Sequence, residues 1–334
     1  MYKTPYCVTY YEQIGRSLIN FLGGYLSFYC LKIYLTIQID FTYQKTVSYS
    51  YNERYHSGSK ERNSFMVKTI TAEELFRKVK AEEALVLVDV RAEDKYNHFH
   101  IEANTVEDIN VPKTEIFTFE DEVEKVIPQL PKNKGMIITC TTGNSATKCA
   151  NILADRDYDV TVLEGGITAW KEYVSNESIE RMWEEFKRIH PNAPEQYEAW
   201  SFGNSKQMAD ELAELVVEGT KTATSSNYTL YEIEDEPLPM VGLHNIILDG
   251  EGMAVAVVKT TSVKVVPFNK VTEEHAYLEG EGDRSLHYWQ EVHKEFFENE
   301  LKEVNQDFHR EIPVVCETFE LLYKNETSHR ELLS

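Results

Sequence analysis

Met136-Ile137-Ile138-Thr139-Cys140-Thr141-Thr142-Gly143-Asn144-Ser145-Ala146-Thr147 runs from an apolar stretch through a cysteine into a polar loop with one glycine. Ala146 to Asp155 then reads as a helix. A short apolar run bounded by turn residues is the pattern of a strand buried on both faces, as in a parallel sheet. A cysteine between such a strand and a helix start sits where backbone N–H groups converge. Those donors, with the positive end of the helix, favour thiolate over thiol. The stretch is therefore a place for sulfur or anion chemistry.

Outward from it the same pattern repeats. Leu85-Val86-Leu87-Val88-Asp89-Val90 is a second buried strand, and Val160 to Leu163 a third. Thr71-Ala72-Glu73-Glu74 predicts a capped helix start. Glu120 to Leu130 is a helix candidate, and Gly165-Gly166 turns into another helix from Ile167 to Tyr173. Helices alternating with buried strands predict an α/β doubly wound parallel sheet, whose site lies at the carboxyl ends of its strands. Cys140 is at such an end.

The chain has 334 residues, 42% of them hydrophobic, which predicts two domains with real cores. Its formal net charge is -22. Residues 1–65 hold seven basic and four acidic residues, 66–174 hold 13 and 20, and 175–334 hold 14 and 32. Such acidity excludes a generic grip on DNA, and any RNA contact has to be local. Five widely spaced cysteines (Cys7, Cys30, Cys140, Cys149, Cys316) include no CxxC pair. Neither a zinc site nor a disulfide framework follows, and a reducing cytoplasm fits best. His98 with His100, and His287 with His293, are not read as ligand pairs. No metal and no cofactor is expected.

Residues 1–65 are rich in Tyr and Phe without a period. Ser17 to Leu31 is uncharged and largely apolar, but Lys32 interrupts it short of the ~20 residues a spanning helix needs. Two readings stand: a weak membrane anchor, or an over-extended reading frame with translation starting at Met66. No membrane association is assigned. The expected organisation is an extension over 1–65, a domain over 66–175, a second domain over 179–325 and a tail over 326–334.

Between the domains, Asn176, Pro191, Asn192 and Pro194 suggest a linker plus a first helix, Ile179 to Ile189. Met208 to Val217 is a helix ended by Gly219, and Leu286 to Phe297 another. Strand candidates are Asn245 to Leu248, Met253 to Thr261, Val263 to Val266 and Val314 to Leu322, with a hairpin turn at Asp249-Gly250 and Gly252. These predict an α+β domain built on a small β-barrel with helical cover.

Asp89-Val90-Arg91, His100-Ile101, Asn110-Val111-Pro112, the Cys140 loop and Leu163-Glu164-Gly165-Gly166-Ile167-Thr168-Ala169-Trp170 occur in order. Together they resemble a single rhodanese domain over 68–174, with a longer connection at Glu102 to Asp108. The resemblance implies that Cys140 takes a sulfane sulfur as a persulfide and passes it to a thiol or other nucleophile. The N–H groups of Thr141, Thr142, Gly143, Asn144, Ser145 and Ala146 would form its cradle. Asp89 and Arg91 would hold the framework. Ser145 stands where the family commonly has arginine. A sulfonate donor such as thiosulfate then loses a charge-assisted partner worth ~1.5–3 kcal/mol. Weak thiosulfate activity or a preference for persulfide donors is expected. A phosphatase loop would need arginine at the position of Ala146, which excludes that reading. Cys149 reads as a packed core thiol.

Gly219-Thr220-Lys221-Thr222-Ala223-Thr224, Glu236-Pro237-Leu238-Pro239, Pro267-Phe268, Glu279-Gly280-Glu281-Gly282-Asp283-Arg284-Ser285-Leu286, Tyr288-Trp289, His293, Phe296-Phe297 and Val315-Cys316-Glu317 resemble the ASCH family, whose fold is PUA-like. Gly242-Leu243-His244 departs from its usual Gly-Asp. The three-residue spacing of Lys221 and Thr224 can put both on one face. A dehydrated lysine can act as a base near neutrality and activate the Thr224 hydroxyl. Glu281, or next Glu279, would supply the carboxylate. Some members are similar in cleaving N4-acylated cytidines, and others act on RNA. Tyr228, Trp289 and His293 either border the cleft or belong to the core.

The expected function is a sulfurtransferase carrying persulfide on Cys140, coupled to an ASCH domain that binds or hydrolyses a modified nucleoside or RNA. Two alternatives stay open: a catalytically weak sensor or binding module, and an acylcytidine amidohydrolase with a regulatory rhodanese domain.

Overall fold

The computed structural model describes residues 67–118 and 127–324. The N-terminal readings, Cys7, Cys30, most of the helix expected from Glu120, and the 326–334 tail lie outside the described residues.

The first sheet is parallel, in the order β1-β5-β4-β2-β3. Its elements are β1 (Lys68–Ile70), α1 (Ala72–Lys80), β2 (Leu85–Asp89), α2 (Glu93–His98), β3 (Val106–Asn110), α3 (Lys113–Phe117), β4 (Met136–Thr139), α4 (Asn144–Ala154) and β5 (Val160–Leu163). Thr71 and Glu74 close a capping box at α1. Val88 and Ile138 pack with Cys149 and Leu153 on one face of the sheet, while Leu87 and Ile137 pack with Leu75 and Trp170 on the other. Neighbouring residues of one strand enter different cores, which is why these strands read as unbroken apolar runs.

One helix corrects the expected linker. α5 (Gly166–Ile189) is continuous through 175–178. At 24 residues it is ~36 Å long. Its buried positions Trp170, Val174, Ile179, Met182, Trp183 and Phe186 keep helical spacing, and no proline intervenes before Pro191. The first half packs with Leu163 and Phe76 in the first domain. The second half packs with Ile246, Leu248 and Val257 of the second.

The second sheet contains β6 (Glu198–Ser201), β7 (Ala223–Asn227), β8 (His244–Leu248), β9 (Ala254–Pro267) and β10 (Pro313–Lys324). Around it lie α6 (Lys206–Val217), α7 (Tyr228–Glu234), α8 (Glu273–Glu279) and α9 (Leu286–Glu303). The order is β6-β8-β9-β10-β7, with β6 and β8 parallel and the other pairs antiparallel. The expected barrel is thus a curled, mixed half-barrel whose edges are β6 and β7. The strands expected over Met253 to Thr261 and Val263 to Val266 are one 14-residue strand, β9, which begins at Ala254. Register shifts against β10 at Thr318/Phe319 and Leu321/Tyr323 bend the long pair, so it curls without breaking.

The β8–β9 turn joins the two domains. Met253 packs in the core that holds Trp170 and Val174. Ser175 Oγ donates to the Gly252 carbonyl at 2.6 Å, and the Ala254 N–H donates to Ser178 Oγ at 3.1 Å. Lys171 pairs with Glu251 at 2.9 Å. Among the described residues no helix is long and apolar enough to cross a membrane.

Candidate functional site

Cys140 follows β4 and is 5% exposed. Its Sγ accepts the Ala146 N–H at 3.3 Å, at the start of α4. Of the loop N–H groups named from the sequence, Ala146 is thus the one brought onto the sulfur. The loop rests on the start of α5. Ile167 N–H donates to the Cys140 carbonyl at 2.8 Å and Thr168 N–H to the Thr141 carbonyl at 3.0 Å. Gly166 has φ +61, and a Cβ there would lie 2.2 Å from the Cys140 carbonyl oxygen. Only glycine allows this approach, so Gly166 is part of the cysteine loop's support.

Asp89 and Arg91 form a buried pair, with Nε 2.8 Å from Oδ2. Arg91 also donates to the Phe99 carbonyl. Asn110 Nδ2 donates to the Asp89 and Arg91 carbonyls at 2.9 and 3.0 Å. These contacts tie the ends of β2 and β3 together beside the loop. Cys149 is fully buried, and burial followed by the neighbouring Cys140 pushes its thiol up to about 12.

Sequence reasoning missed Lys113. Its Nζ donates to Ser145 Oγ at 3.4 Å, bringing a cation to the position that lacks arginine. The available signal was its place directly after Asn110-Val111-Pro112. Its distance from a loop 32 residues later was not legible.

The second constellation surrounds Lys221, which is 1% exposed. Lys221 Nζ lies 2.6 Å from Glu281 Oε1 and 3.3 Å from Glu279 Oε2, and 5.1 Å from the centre of the Phe202 ring. The backbone builds this contact. Thr222 N–H donates to the Leu278 carbonyl at 2.8 Å. Gly280 (φ +76) caps α8 so close that a Cβ would lie 2.7 Å from the Thr220 carbonyl. The two glutamates flanking Gly280 therefore converge on one ammonium.

Two expectations change here. Burial alone would lower the Lys221 pKa, but Glu279 and Glu281 reverse this and raise it. Lys221 is held as an ammonium, not poised as a base. Thr224 lies on β7, not on a helical face, and is 4% exposed, opposite Glu317 of β10. The polar contacts of Lys221 go to the glutamates rather than to Thr224.

Glu279 is the hub of a larger buried network that the sequence did not reveal. Its Oε1 accepts from Ser225 Oγ and from Trp289 Nε1, both at 2.6 Å. His275 and His293 lie 3.3 and 3.5 Å away. Burial alone would raise this carboxyl, but His293, Lys221 and the histidine hydrogen bonds hold it well below the usual range. His275 is opposed by burial yet raised to about 9 by hydrogen bonds with Cys316 and Glu279. Trp289 and His293 are buried parts of this network, while Tyr228 is half-buried at the start of α7. Among the described residues no cluster of three or more His, Cys, Asp or Glu side chains is arranged to hold a metal ion.

Comparison with known proteins matches this division. A family model for a rhodanese-like domain matches residues 71–173, and one for an ASCH domain matches residues 198–323. Protein EF3133 from Enterococcus faecalis V583 is 38% identical over 43% of this chain and 88% of its own, with a TM-score of 0.41. An ASCH domain from Lactobacillus crispatus JV V101 is 30% identical over 45% and 95%, with a TM-score of 0.42. A rhodanese-like domain protein from Staphylococcus aureus is 26% identical over 31% and 91%, with a TM-score of 0.26. No curated protein matches the chain. The chain belongs to the ASCH family through its second half and carries a rhodanese-like domain in its first.

Proposed function

We propose that the protein is a sulfur carrier in which Cys140 accepts a sulfane sulfur as a persulfide and passes it to a nucleophile. The supporting observation is the Ala146 N–H aimed at Sγ from the start of an 11-residue helix. A donor there favours negative charge on the attacking sulfur. Cys140 is the nucleophile, and the Ile167 and Thr168 contacts keep its loop from moving when the second sulfur arrives. The partners are a small sulfur donor and a thiol or other nucleophilic acceptor. Mass spectrometry of protein treated with a persulfide donor tests this. One added sulfur atom (about 32 Da) on Cys140, absent from Cys140→Ser, is expected. An equal adduct on Cys140→Ser would remove the assignment.

The Lys221 cluster favours a second activity in the other domain. We propose that it binds a modified nucleoside, or such a residue in RNA, and cleaves an exocyclic amide. The charge on Lys221 stabilises an oxyanion, and Glu281, 18% exposed at its side chain, moves the proton. Ser225, whose Oγ is 2.6 Å from Glu279 Oε1, is the β7 hydroxyl in contact with the cluster, while Thr224 is the neighbouring residue of the strand. The strong acidity of residues 175–334 suits a small nucleoside better than a long RNA. Acetate release from N4-acetylcytidine should fall at least a hundredfold in Lys221→Ala, on the order of one lost oxyanion donor. Unchanged release would leave the cluster a structural one.

A further inference from the structure

We propose that Lys113 is the anion-recognising cation of the Cys140 loop and selects a sulfur donor with a negatively charged head group. This rests on the sulfur-transfer reading and adds its donor class. The placement follows from the backbone. Val111 N–H donates to the Asp89 carbonyl at 3.0 Å, and Lys113 N–H to the Val90 carbonyl at 2.9 Å. Since β2 lies between β3 and β4, these bonds draw the start of α3 across the end of β2 toward the loop after β4. Lys113 Nζ then reaches Ser145 Oγ at 3.4 Å. The next residue, Ala146, donates its N–H to Cys140 Sγ. A cation and an N–H donor therefore serve adjacent parts of one small region.

The charge is felt within α4. Cys149 is pushed up by burial and by Cys140, and Lys113 acts against both. Lys113 is exposed, so a dissolved anion can reach it, and its side-chain contact among the described residues is a hydroxyl rather than a carboxylate.

The chemistry needs such a group. With thiosulfate, the Cys140 thiolate attacks the outer sulfur. A new S–S bond forms at Sγ, the S–S bond of thiosulfate breaks, and sulfite leaves with the electron pair. Charge is conserved: a thiolate and a dianion give a persulfide anion and the sulfite dianion. A cation beside the loop holds the head group before attack and sulfite as it departs. An acceptor such as cyanide then takes the outer sulfur as thiocyanate and restores the thiolate.

The test compares three donors on the full chain: thiosulfate, with a sulfonate head; glutathione persulfide, with carboxylates; and hydroxyethyl persulfide, with an uncharged head. Transfer rates and sulfur on Cys140 are measured for wild type, Lys113→Ala and Lys113→Arg. In Lys113→Ala, KM for at least one anionic-head donor should rise about tenfold with kcat changed less than threefold, the size of one lost charged contact. Lys113→Arg should restore most of it, and the uncharged-head donor should be unaffected. The better of the two anionic donors identifies sulfonate or carboxylate as the head group. Equal effects on all three donors, or none, would overturn the role of Lys113. Wild-type loading from hydroxyethyl persulfide alone would overturn it too while leaving sulfur transfer standing. No loading from any donor would remove both.

Discussion

Replacing Glu279 by glutamine isolates the charge at the centre of the second domain. Glutamine keeps the volume and can still accept from Ser225 or Trp289, both 2.6 Å from Oε1. It cannot neutralise Lys221, which is 1% exposed, or His275, 3.3 Å away. Removing one partner of a buried ion pair costs ~3–5 kcal/mol because the remaining charge stays buried. Glu281 still faces Lys221 at 2.6 Å, so the lower end, about 3 kcal/mol, is expected. Urea unfolding at pH 7 measures it directly. The pH profile separates the charges. Glu279 is held well below its ordinary 4.5, so its contribution is present above that pH and lost as pH falls through the depressed folded value. His275 is raised from 6.5 to about 9, so its contribution is full below pH 6.5 and lost as pH rises toward 9. That loss amounts to about 3 kcal/mol in wild type. In Glu279→Gln the alkaline loss should shrink and finish nearer pH 7. A change below ~1 kcal/mol with an unaltered alkaline limb would refute the hub, because such a value belongs to an exposed pair.

Further outcomes follow from the two sites and the joint between them. Gly166→Ala places a Cβ 2.2 Å from the Cys140 carbonyl at a left-handed φ, whose intrinsic cost is ~1–2 kcal/mol. The loop should shift and Cys140 should lose persulfide loading in mass spectra while far-ultraviolet circular dichroism is retained. Met253→Ala removes a side chain of the second domain from the first domain's core, at a cost of ~2–5 kcal/mol. Its unfolding should remain one transition by circular dichroism and tryptophan fluorescence, and two separated transitions would contradict a shared core. Ser175→Ala leaves the Gly252 carbonyl without its 2.6 Å donor and should cost ~1–3 kcal/mol, measured by urea unfolding.

Much of the first domain was legible because its signals are local. Leu85 to Asp89 and Met136 to Thr139 read as buried strands from their apolar runs, and Thr71 with Glu74 read as a cap from a three-residue spacing. The paired glycines at 165 and 166 were visible as a turn. The use of Gly166 in supporting Cys140 required the fold, since its close contacts are with a loop 23 or more positions earlier. At α5, Asn176 and the later prolines suggested a linker, but the helical spacing from Trp170 to Phe186 runs on unbroken. Two packed cores outweigh the weak helix preference of one asparagine. In the second domain β9 was divided at Thr261-Ser262. The ladder to β10 continues across these residues with shifted register.

The sequence alone determined the two domain types, the cysteine at a strand end, the missing loop arginine and the residues Lys221, Glu279 and Glu281. Each of these is carried by local pattern or by a run of matched motifs. Only the tertiary structure decided which charges meet. Lys113 reaches Ser145 because β2 ties the start of α3 beside the loop after β4. Lys221 is an ammonium rather than a base because Gly280 lets two glutamates converge on it. The difference is physical. Burial alone lowers a lysine pKa and opposite charge raises it, so the balance depends on distances between residues 58 and 60 positions apart.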